Sequence, residues 1–358
     1  MLKNKLIKHW ILKNKKKPRG VHSAWWNFSA NFNIAEFKAK FPNYTFGLMM
    51  QYYDNVYWEP EDKLTIHLIY QHIKPTFKHI ISKCCYHLRG PNVIKHITRT
   101  IKANLTNYDY VIRTDIKSYY ASINLDILLS QLNKEFDDPI LLKYFKQILF
   151  HTVYKDGNYI ETKQGIAKST GLSGFFADLY LKSLDQAMQA AMQDSNNEVL
   201  YIRYNDDIII FTKTFNQYQR ALKRLFKILK SLKLKIAKRK TKFGKISDFH
   251  FLGVEFMATR TANKPQKTQV TQGLHERTLQ RACDKVCLDH NSVNPDASLR
   301  YLYRWAAWWH WATNIPNRTI LTVWCFFETA SVEHAELIES LQTQLLTMLY
   351  PDIMSEYV

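Results

Sequence analysis

The spacing of apolar residues changes along the chain and predicts where strands and helices lie. YDYVIRTD, which ends at Asp115, is rich in aromatic and β-branched residues and predicts a strand. LYIRYNDDIIIFT (200–212) predicts two apolar strands around a polar turn, Asp156-Gly157 is a hairpin signal between two short strands, and 248–256 predicts another strand. Helical spacing covers 62–104, with breaks at Pro75 and at Arg89-Gly90-Pro91, and also 125–149, 172–192, 215–234 and 270–350. This order predicts a mixed α/β core followed by an all-α unit.

Composition excludes several classes of protein. The chain has 358 residues, of which 46% are hydrophobic and 14% aromatic, so a disordered chain is excluded. No apolar run is long enough to predict a membrane-spanning helix, and the N-terminus does not have the pattern of a secretory signal. Five cysteines, an odd number, favour a reducing compartment, and we expect a cytoplasmic protein without a membrane partner.

The charge is strongly basic and unevenly distributed. The 50 Lys and Arg residues exceed the 31 Asp and Glu residues, giving a net charge of +19. Residues 1–20 and 213–245 contain Lys and Arg but no acid, whereas 327–358 contain acids but no Lys or Arg. Basic stretches in an aromatic-rich chain favour nucleic-acid binding, because Lys and Arg neutralise phosphates and release counterions. A surface that only maintains solubility, or one attracted to acidic lipid, is the alternative.

Acidic residues stand at two positions where apolar strands end. Tyr204-Asn205-Asp206-Asp207 forms the polar centre of the predicted hairpin, and Asp115 ends the strand before it. Adjacent carboxylates repel each other, and a divalent cation would relieve that repulsion. An acid at a strand end opposite an acidic hairpin tip is typical of a two-metal site for phosphoryl transfer. A polar turn that happens to contain acids is the alternative.

An ordered set of motifs resembles the bacterial reverse transcriptases, which are related to group II intron, retron and diversity-generating enzymes. Tyr204-Asn205-Asp206-Asp207 resembles the YxDD box of that family, and Asp115 in DIKSYYASI resembles its first carboxylate motif. The other matching segments are His87-Leu88-Arg89-Gly90, QGIAKSTGLSGFFADLYL from Gln164, Lys240-Thr241 and Phe251-Leu252-Gly253. The resemblance extends over roughly residues 80–315.

The resemblance implies an α+β right-hand polymerase fold with fingers, a palm built on an antiparallel sheet, and an all-α thumb. We therefore expect a flexible basic arm, an N-terminal extension with fingers, a palm with a fingers insertion, and a helical thumb with an acidic C-terminal helix. The expected boundaries are 1–20, 21–107, 108–265 and 266–358.

The resemblance also implies roles for individual residues. Asp115, Asp206 and Asp207 would bind two Mg²⁺ ions, which Mn²⁺ could replace, together with the backbone carbonyl of Ile116. Lys240 would act near the leaving pyrophosphate, as a charge partner or an acid. The residues expected to contact the incoming nucleotide are Arg89, Lys95, Tyr120, Gly165, Lys168 and Ser173, with Tyr120 excluding a ribose 2′-hydroxyl. The residues expected to contact primer and template are Phe251, Leu252, Gly253, Arg300 and Arg304.

The chain departs from the family pattern before its second motif. Where relatives often have RGxPQG, this chain has QGIAKS, so Gly165 is kept but Lys168 and Ser169 are unusual. Ser173 is kept, but Gly174 replaces the usual Pro. Because of these departures, template handling, fidelity or the choice between ribose and deoxyribose could differ from that of relatives.

Three functions follow from the resemblance and its departures. The first is RNA-templated DNA synthesis from dNTPs and a DNA or RNA primer, by a stand-alone bacterial enzyme with a companion non-coding RNA, in phage defence or a retroelement. The second is template-independent or protein-primed DNA synthesis. The third is a module that binds structured RNA without catalysis. The acidic C-terminal segment could also bind the basic body, another copy or a protein partner.

Overall fold

The computed structural model describes residues 3–15, 28, 30–52, 55–87, 92–168, 170–196, 198–260, 268–275, 277–278, 281, 301, 304–305 and 308–309. Its helices are α1 Asn4–Lys15, α2 Ile34–Lys40, α3 Pro60–Ile73, α4 Phe77–Ile80, α5 Val93–Asn104, α6 Tyr119–Ser122, α7 Leu125–Glu135, α8 Pro139–Leu149, α9 Gly171–Tyr180, α10 Lys182–Asp194 and α11 Phe215–Ser231. Its strands are β1 Met49–Tyr52, β2 Asn55–Tyr57, β3 Tyr110–Asp115, β4 Thr152–Lys155, β5 Asn158–Glu161, β6 Val199–Tyr204, β7 Asp207–Thr212, β8 Lys242–Lys245, β9 Phe249–Phe251, β10 Val254–Arg260 and β11 Thr268–Leu274.

An antiparallel sheet with the strand order β6-β7-β3-β8 carries the candidate site. Side chains alternate between the two faces of a strand, and a hydrophobic core covers each face of this sheet. The central strands are therefore apolar on both faces. Ile208 and Ile210 of β7 pack into the larger core with helices α9, α10 and α11. Ile209 and Phe211 pack into a second core with α5, β9 and β10. The predicted strand ending at Asp115 and the predicted 200–212 hairpin are both present.

A second sheet, with the order β2-β1-β4-β5, contains the other predicted hairpin. Strands β4 and β5 pair antiparallel around the turn Asp156-Gly157. Both turn residues have positive φ, 48° and 82°, which are the backbone angles that favour Asp-Gly at a tight hairpin. The hairpin signal in the sequence therefore has its expected structural basis.

Two predicted helices are each interrupted. The 125–149 segment divides into α7 and α8, because Asp138 accepts hydrogen bonds from the amides of Ile140 and Leu141 and Pro139 begins the second helix. The 172–192 segment divides into α9 and α10 at Leu181, whose φ and ψ are −93° and 5°. The period of the apolar residues continues through both breaks and therefore hides them.

The region after the central sheet is also more β-rich than the sequence predicts. The single strand expected over 248–256 is two strands, β9 and β10, joined by a turn at Leu252-Gly253. Residues 268–274, expected to be helical, form β11 and pair with β10 across its whole length. Most of the expected helical thumb and the acidic C-terminal segment lie outside the described residues.

The N-terminus differs from the predicted flexible arm. Residues 4–15 form α1, and Ile7 is fully buried in the larger core. The helix places one apolar stripe against the body, which a charge count alone does not predict. In the described part of the chain, no helix has the length and apolar character needed to cross a bilayer.

Candidate active site

Three acidic side chains meet at one edge of the central sheet. In the register of β3 and β7, Asp115 lies opposite Asp207. Tyr204 and Asp207 close the β6–β7 hairpin, so its two-residue turn is Asn205-Asp206, and Asn205 adopts a φ of 54°. Asn tolerates this left-handed conformation better than most residues. The structure thus brings together the three carboxylates that the sequence analysis selected, although Asp115 is about ninety positions from the others.

The electrostatics of this group reflect crowded, partly buried carboxylates. Burial and the neighbouring Asp115 raise the pKa of Asp206 above its ordinary value. Burial, together with the charges of Asp115 and Asp206, raises the pKa of Asp207 to about 6. Arg113, two residues before Asp115 on β3, opposes this rise at Asp207. Ionising all three carboxylates together is therefore unfavourable, and nearby positive charge makes it less so.

Lys240 supplies part of that positive charge. Its Nζ atom lies 2.6 Å from Oδ2 of Asp115, and this hydrogen bond raises the pKa of Lys240. The segment that carries it is fixed to β3: the Ala237 amide donates to the Asp115 carbonyl, and the Thr241 hydroxyl lies 2.8 Å from that of Thr114. The lysine predicted to act in catalysis is therefore held against the first carboxylate.

The donor atoms at this edge suit a hard divalent cation. All three side chains offer carboxylate oxygens, the ligands that Mg²⁺ and Mn²⁺ prefer. Ile116 and Ile236 form an antiparallel bridge, in which the Lys117 amide donates to the Lys235 carbonyl and the Ala237 amide donates to the Asp115 carbonyl. The Ile116 carbonyl takes no part in these two hydrogen bonds. Burial first, and then repulsion between the carboxylates, raises the pKa values of Asp206 and Asp207, and a bound cation would offset both effects. The residues present therefore fit such an ion.

A buried arginine holds the hairpin that carries Asp206. Arg203 is fully buried, and its Nε and Nη2 atoms donate to the two carboxylate oxygens of Asp185 at 2.8 and 2.6 Å. Its Nη1 atom donates to Asp178 at 2.8 Å and to the backbone carbonyl of Asn205 at 2.9 Å. Tyr201 also donates to Asp185. The turn beside the three carboxylates is therefore held in place by a charge-assisted network.

The sequence analysis did not select Arg203, Asp178 or Asp185. A signal was present: Arg203 interrupts an apolar strand, and the two acids lie seven residues apart in an apolar helical segment. Charges at such positions are seldom buried unless they are paired. Their pairing is not predictable from local sequence, because the partners are 18 and 25 positions apart.

Cys85, His87 and Asp178 form another group of possible metal ligands, with ligand atoms within 4.8 Å of one another. Burial raises the pKa of the Cys85 thiol, which donates to Oδ1 of Asp178 at 3.0 Å. The same Asp178 oxygen accepts from Arg203. A protonated thiol and an already neutralised carboxylate favour a hydrogen-bonded cluster under the hairpin over a cation site.

Tyr120 and Lys168 lie beside the carboxylates. Burial raises the pKa of Tyr120, and the nearby charges of Asp178 and Asp206 raise it further. The Lys168 Nζ atom lies 5.9 Å from the centre of the Tyr120 ring, and its charge lowers the pKa of Asp206. The structure thus brings two of the predicted nucleotide-contacting residues to the site.

Gly165 makes a close backbone contact with the helix that carries Tyr120. Its φ is 86°, and a Cβ atom built there would lie 3.0 Å from Cα of Ala121 and 3.2 Å from the carbonyl of Tyr120. The Gly165 amide also donates to the carbonyl of Ile123. Glycine is required here both by conformation and by space.

Ser173 is engaged within the protein. It is 4% exposed, donates to the carbonyl of Ala167 and lies 2.9 Å from the hydroxyl of Thr170. Lys95 is partly exposed in the first turn of α5. The predicted roles of Ser173 and Lys95 in nucleotide binding stay predictions, and Arg89 lies outside the described residues.

The predicted primer-contacting segment forms a strained turn. Phe251 is buried, whereas Leu252 and Gly253 have positive φ values of 51° and 82°. A Cβ atom at Gly253 would lie 2.8 Å from the Thr278 hydroxyl and 3.2 Å from the ring of Trp309, so the turn packs tightly against both. Arg304 is exposed. The predicted contacts of this turn and of Arg304 with primer and template stay predictions, and Arg300 lies outside the described residues.

The sequence from residue 53 to residue 256 matches the family described as Reverse transcriptase (RNA-dependent DNA polymerase). This match includes more than half of the chain and all three carboxylates. The chain belongs to the reverse transcriptase family. This reverse transcriptase is accordingly a nucleotidyltransferase of the RNA-directed DNA polymerase class, and the predicted enzyme class is confirmed. The right-hand polymerase fold predicted from the resemblance is likewise that of the family.

Solved telomerase structures are similar to parts of this reverse transcriptase. The telomerase of Candida albicans, in complex with a TWJ fragment of telomeric RNA, has 13% identity and a TM-score of 0.49 over 79% of this chain and 51% of that one. Two apo telomerase structures from Candida tropicalis have 14% and 13% identity, with TM-scores of 0.42 and 0.47, over 73% and 81% of this chain and 50% and 49% of theirs. The chain thus spans about half the length of these structures. Among curated protein sequences, none matches it.

Proposed function

We propose that this reverse transcriptase extends a DNA or RNA primer on an RNA template with dNTPs, using two bound Mg²⁺ ions. The observation that supports this most strongly is the convergence of Asp115, Asp206 and Asp207 at one sheet edge. Mn²⁺ would substitute for Mg²⁺, because the ligands are carboxylate oxygens. The resemblance of the motifs to bacterial enzymes extends the proposal to a cytoplasmic bacterial protein that works with a companion non-coding RNA, in phage defence or a retroelement.

In this proposal Asp115, Asp206 and Asp207 hold the ions, with the Ile116 carbonyl as a further ligand. Bound divalent cations supply charge neutralisation at the attacking and leaving oxygens of a nucleotidyl transfer. Arg203 keeps the Asp206 turn in position through the Asn205 carbonyl. Lys240, held at Asp115, places an ammonium group where it can stabilise the leaving pyrophosphate or donate a proton to it.

In this proposal the ring of Tyr120 excludes the ribose 2′-hydroxyl of an incoming nucleotide. Its location near Asp206 and Lys168 supports this role, since the sugar of an incoming nucleotide must approach the same carboxylates. Replacing Tyr120 with Ala should allow incorporation of rNTPs, measured as extension with rNTPs relative to dNTPs. An unchanged preference for dNTPs would remove Tyr120 from this role.

Primer extension with a defined RNA template tests the proposal. The wild-type enzyme should produce DNA whose sequence is complementary to the template, in a reaction that stops when EDTA is added. A homopolymer made without regard to the template would instead support template-independent synthesis. Tight RNA binding without any synthesis would support the RNA-binding module and contradict the proposed activity.

A further inference from the structure

A cavity lined by basic and apolar side chains lies next to the candidate active site, since Lys240 belongs to both. It has a volume of about 1160 Å³ and opens between the C-terminal half of α11 and the segment that leads to Lys240. Apolar atoms form most of its lining surface, and basic side chains alternate with apolar ones along residues 226–240. The apolar lining residues are Phe226, Leu229, Leu234, Ile236 and Ala237. The basic lining residues are Lys117, Lys230, Lys233, Lys235, Lys238, Arg239 and Lys240.

The basic residues of this cavity are largely without acidic partners. Within the described part of the chain, Lys240 is the basic lining residue with an ion pair, to Asp115. The sequence from 213 to 245 contains thirteen Lys and Arg residues and no acid. Like charges gathered around one cavity repel each other, and this repulsion is relieved by a bound polyanion.

Exposed aromatic rings stand among these charges. Phe226 is 41% exposed and Phe243 is 39% exposed, and their ring centres lie 6.0 Å apart. Exposed rings surrounded by Lys and Arg are the combination that binds single-stranded nucleic acid, since bases stack on the rings while the basic groups contact the phosphates. Pyrophosphate or a free nucleotide offers fewer phosphates than seven basic residues can contact.

We propose that this cavity is a second nucleic-acid site, which binds a single strand with its phosphates on the lysines and a base on Phe226. Lys240 connects it to the polymerase centre, because the same side chain lines the cavity and contacts Asp115. The site would hold RNA or DNA that has left, or has not yet reached, the carboxylate edge. It goes beyond the proposed polymerase activity and does not depend on synthesis.

Fluorescence anisotropy with labelled single-stranded RNA tests this site. All proteins carry the Asp206→Asn substitution, so that synthesis does not contribute, and a saturating blunt RNA–DNA duplex first occupies the polymerase cleft. The cavity variant is Lys230→Glu with Lys233→Glu. Its matched control is Lys134→Glu with Lys143→Glu, which changes the net charge equally at exposed lysines of α7 and α8. Thermal unfolding verifies that both variants fold.

We expect the cavity variant to bind RNA at least about tenfold more weakly than the control, with a slope of log K against log salt that is smaller by about 1.4. Phe226→Ala should weaken binding about fivefold or more, by loss of stacking, without changing that slope. Equal affinity and slope in cavity and control variants would overturn the proposal. Complete competition by pyrophosphate at the same molar concentration would also overturn it, by indicating a small-anion site.

Because these measurements use an inactive enzyme, their failure would leave the polymerase proposal intact. Conversely, absence of templated synthesis by the wild-type chain would leave the binding result standing.

Discussion

The Nζ atom of Lys240 lies 2.6 Å from Oδ2 of Asp115, so a lysine already contacts one of the three carboxylates that would bind metal. This lysine and a metal cation would compete for the same carboxylate, Asp115. Removing the lysine should therefore strengthen cation binding, even though it removes a group that would assist departure of pyrophosphate.

Lys240→Ala should thus have two effects of opposite direction. The Mg²⁺ concentration for half-maximal extension should fall, while kcat for single-nucleotide incorporation should fall about 100-fold. Lys240→Arg serves as the control, because it keeps the charge but is a far weaker proton donor. A Lys240→Ala enzyme with unchanged kcat and unchanged Mg²⁺ dependence would contradict this role.

From the hydrogen bonds of Arg203, we expect this residue to position the turn that carries Asp206. Arg203→Lys keeps a positive charge but loses the fork that reaches both Asp185 and the Asn205 carbonyl. We expect kcat to fall about tenfold to 100-fold with little change in KM for dNTP, since small misplacements of reacting groups slow the reaction.

Asp185→Asn is the matched variant for this prediction. It weakens the same buried pair but leaves the bond from Arg203 to the Asn205 carbonyl in place. Both variants should unfold at lower urea concentration, and kcat should fall mainly in Arg203→Lys. If kcat decreased in proportion to stability in both, Arg203 would have a structural role alone.

Substituting two glycines with similar φ values distinguishes the effect of backbone strain from the effect of a steric clash. Gly165 and Gly157 have φ values of 86° and 82°, but a Cβ atom would meet neighbouring backbone only at Gly165. Gly165→Ala should reduce the free energy of unfolding by about 1–3 kcal/mol more than Gly157→Ala, because its methyl group displaces Ala121 and Tyr120. Urea unfolding of the two variants measures the difference, and equal losses would refute the close contact.

Asp62, a buried carboxylate outside the candidate site, predicts a pH dependence of stability. Asp62 is 3% exposed, and burial raises its pKa to about 6 although Tyr44 donates to it at 2.8 Å. The folded chain therefore binds a proton more tightly at Asp62 than the unfolded chain, so this contribution to stability is present below pH 4 and is lost as pH rises to about 6.

The wild type should accordingly lose up to about 3 kcal/mol relative to Asp62→Asn between pH 4 and 6, and no more above that range. Chemical unfolding of both proteins across this range measures the difference. A constant difference, or one that increases in favour of the wild type with rising pH, would contradict the raised pKa.

The strands that carry the three carboxylates could be predicted from the sequence, because each strand has a clear pattern in its own residues. The β6–β7 hairpin has runs of apolar residues on both sides of Asn205-Asp206, and Asp115 ends another apolar strand, so each element follows from its own residues. The family's motif order then indicates that the two acidic positions meet.

What local sequence does not predict depends on distant residues. Strand β11 forms because β10 is there to pair with it, and its residues have no strong strand pattern of their own. The support of the Asp206 turn depends on Arg203 finding Asp178 and Asp185 across the core. Such pairings are decided by packing in three dimensions.

Asp206→Asn tests whether Asp115, Asp206 and Asp207 together bind the ions for nucleotidyl transfer. Single-turnover extension of a primer on RNA with Mg²⁺ is measured alongside RNA affinity for the variant and the wild type. We expect the rate to fall at least about 1,000-fold, because a metal ligand is lost, with RNA affinity within about twofold of the wild type. A variant that extends the primer at close to the wild-type rate would contradict metal binding by these three carboxylates.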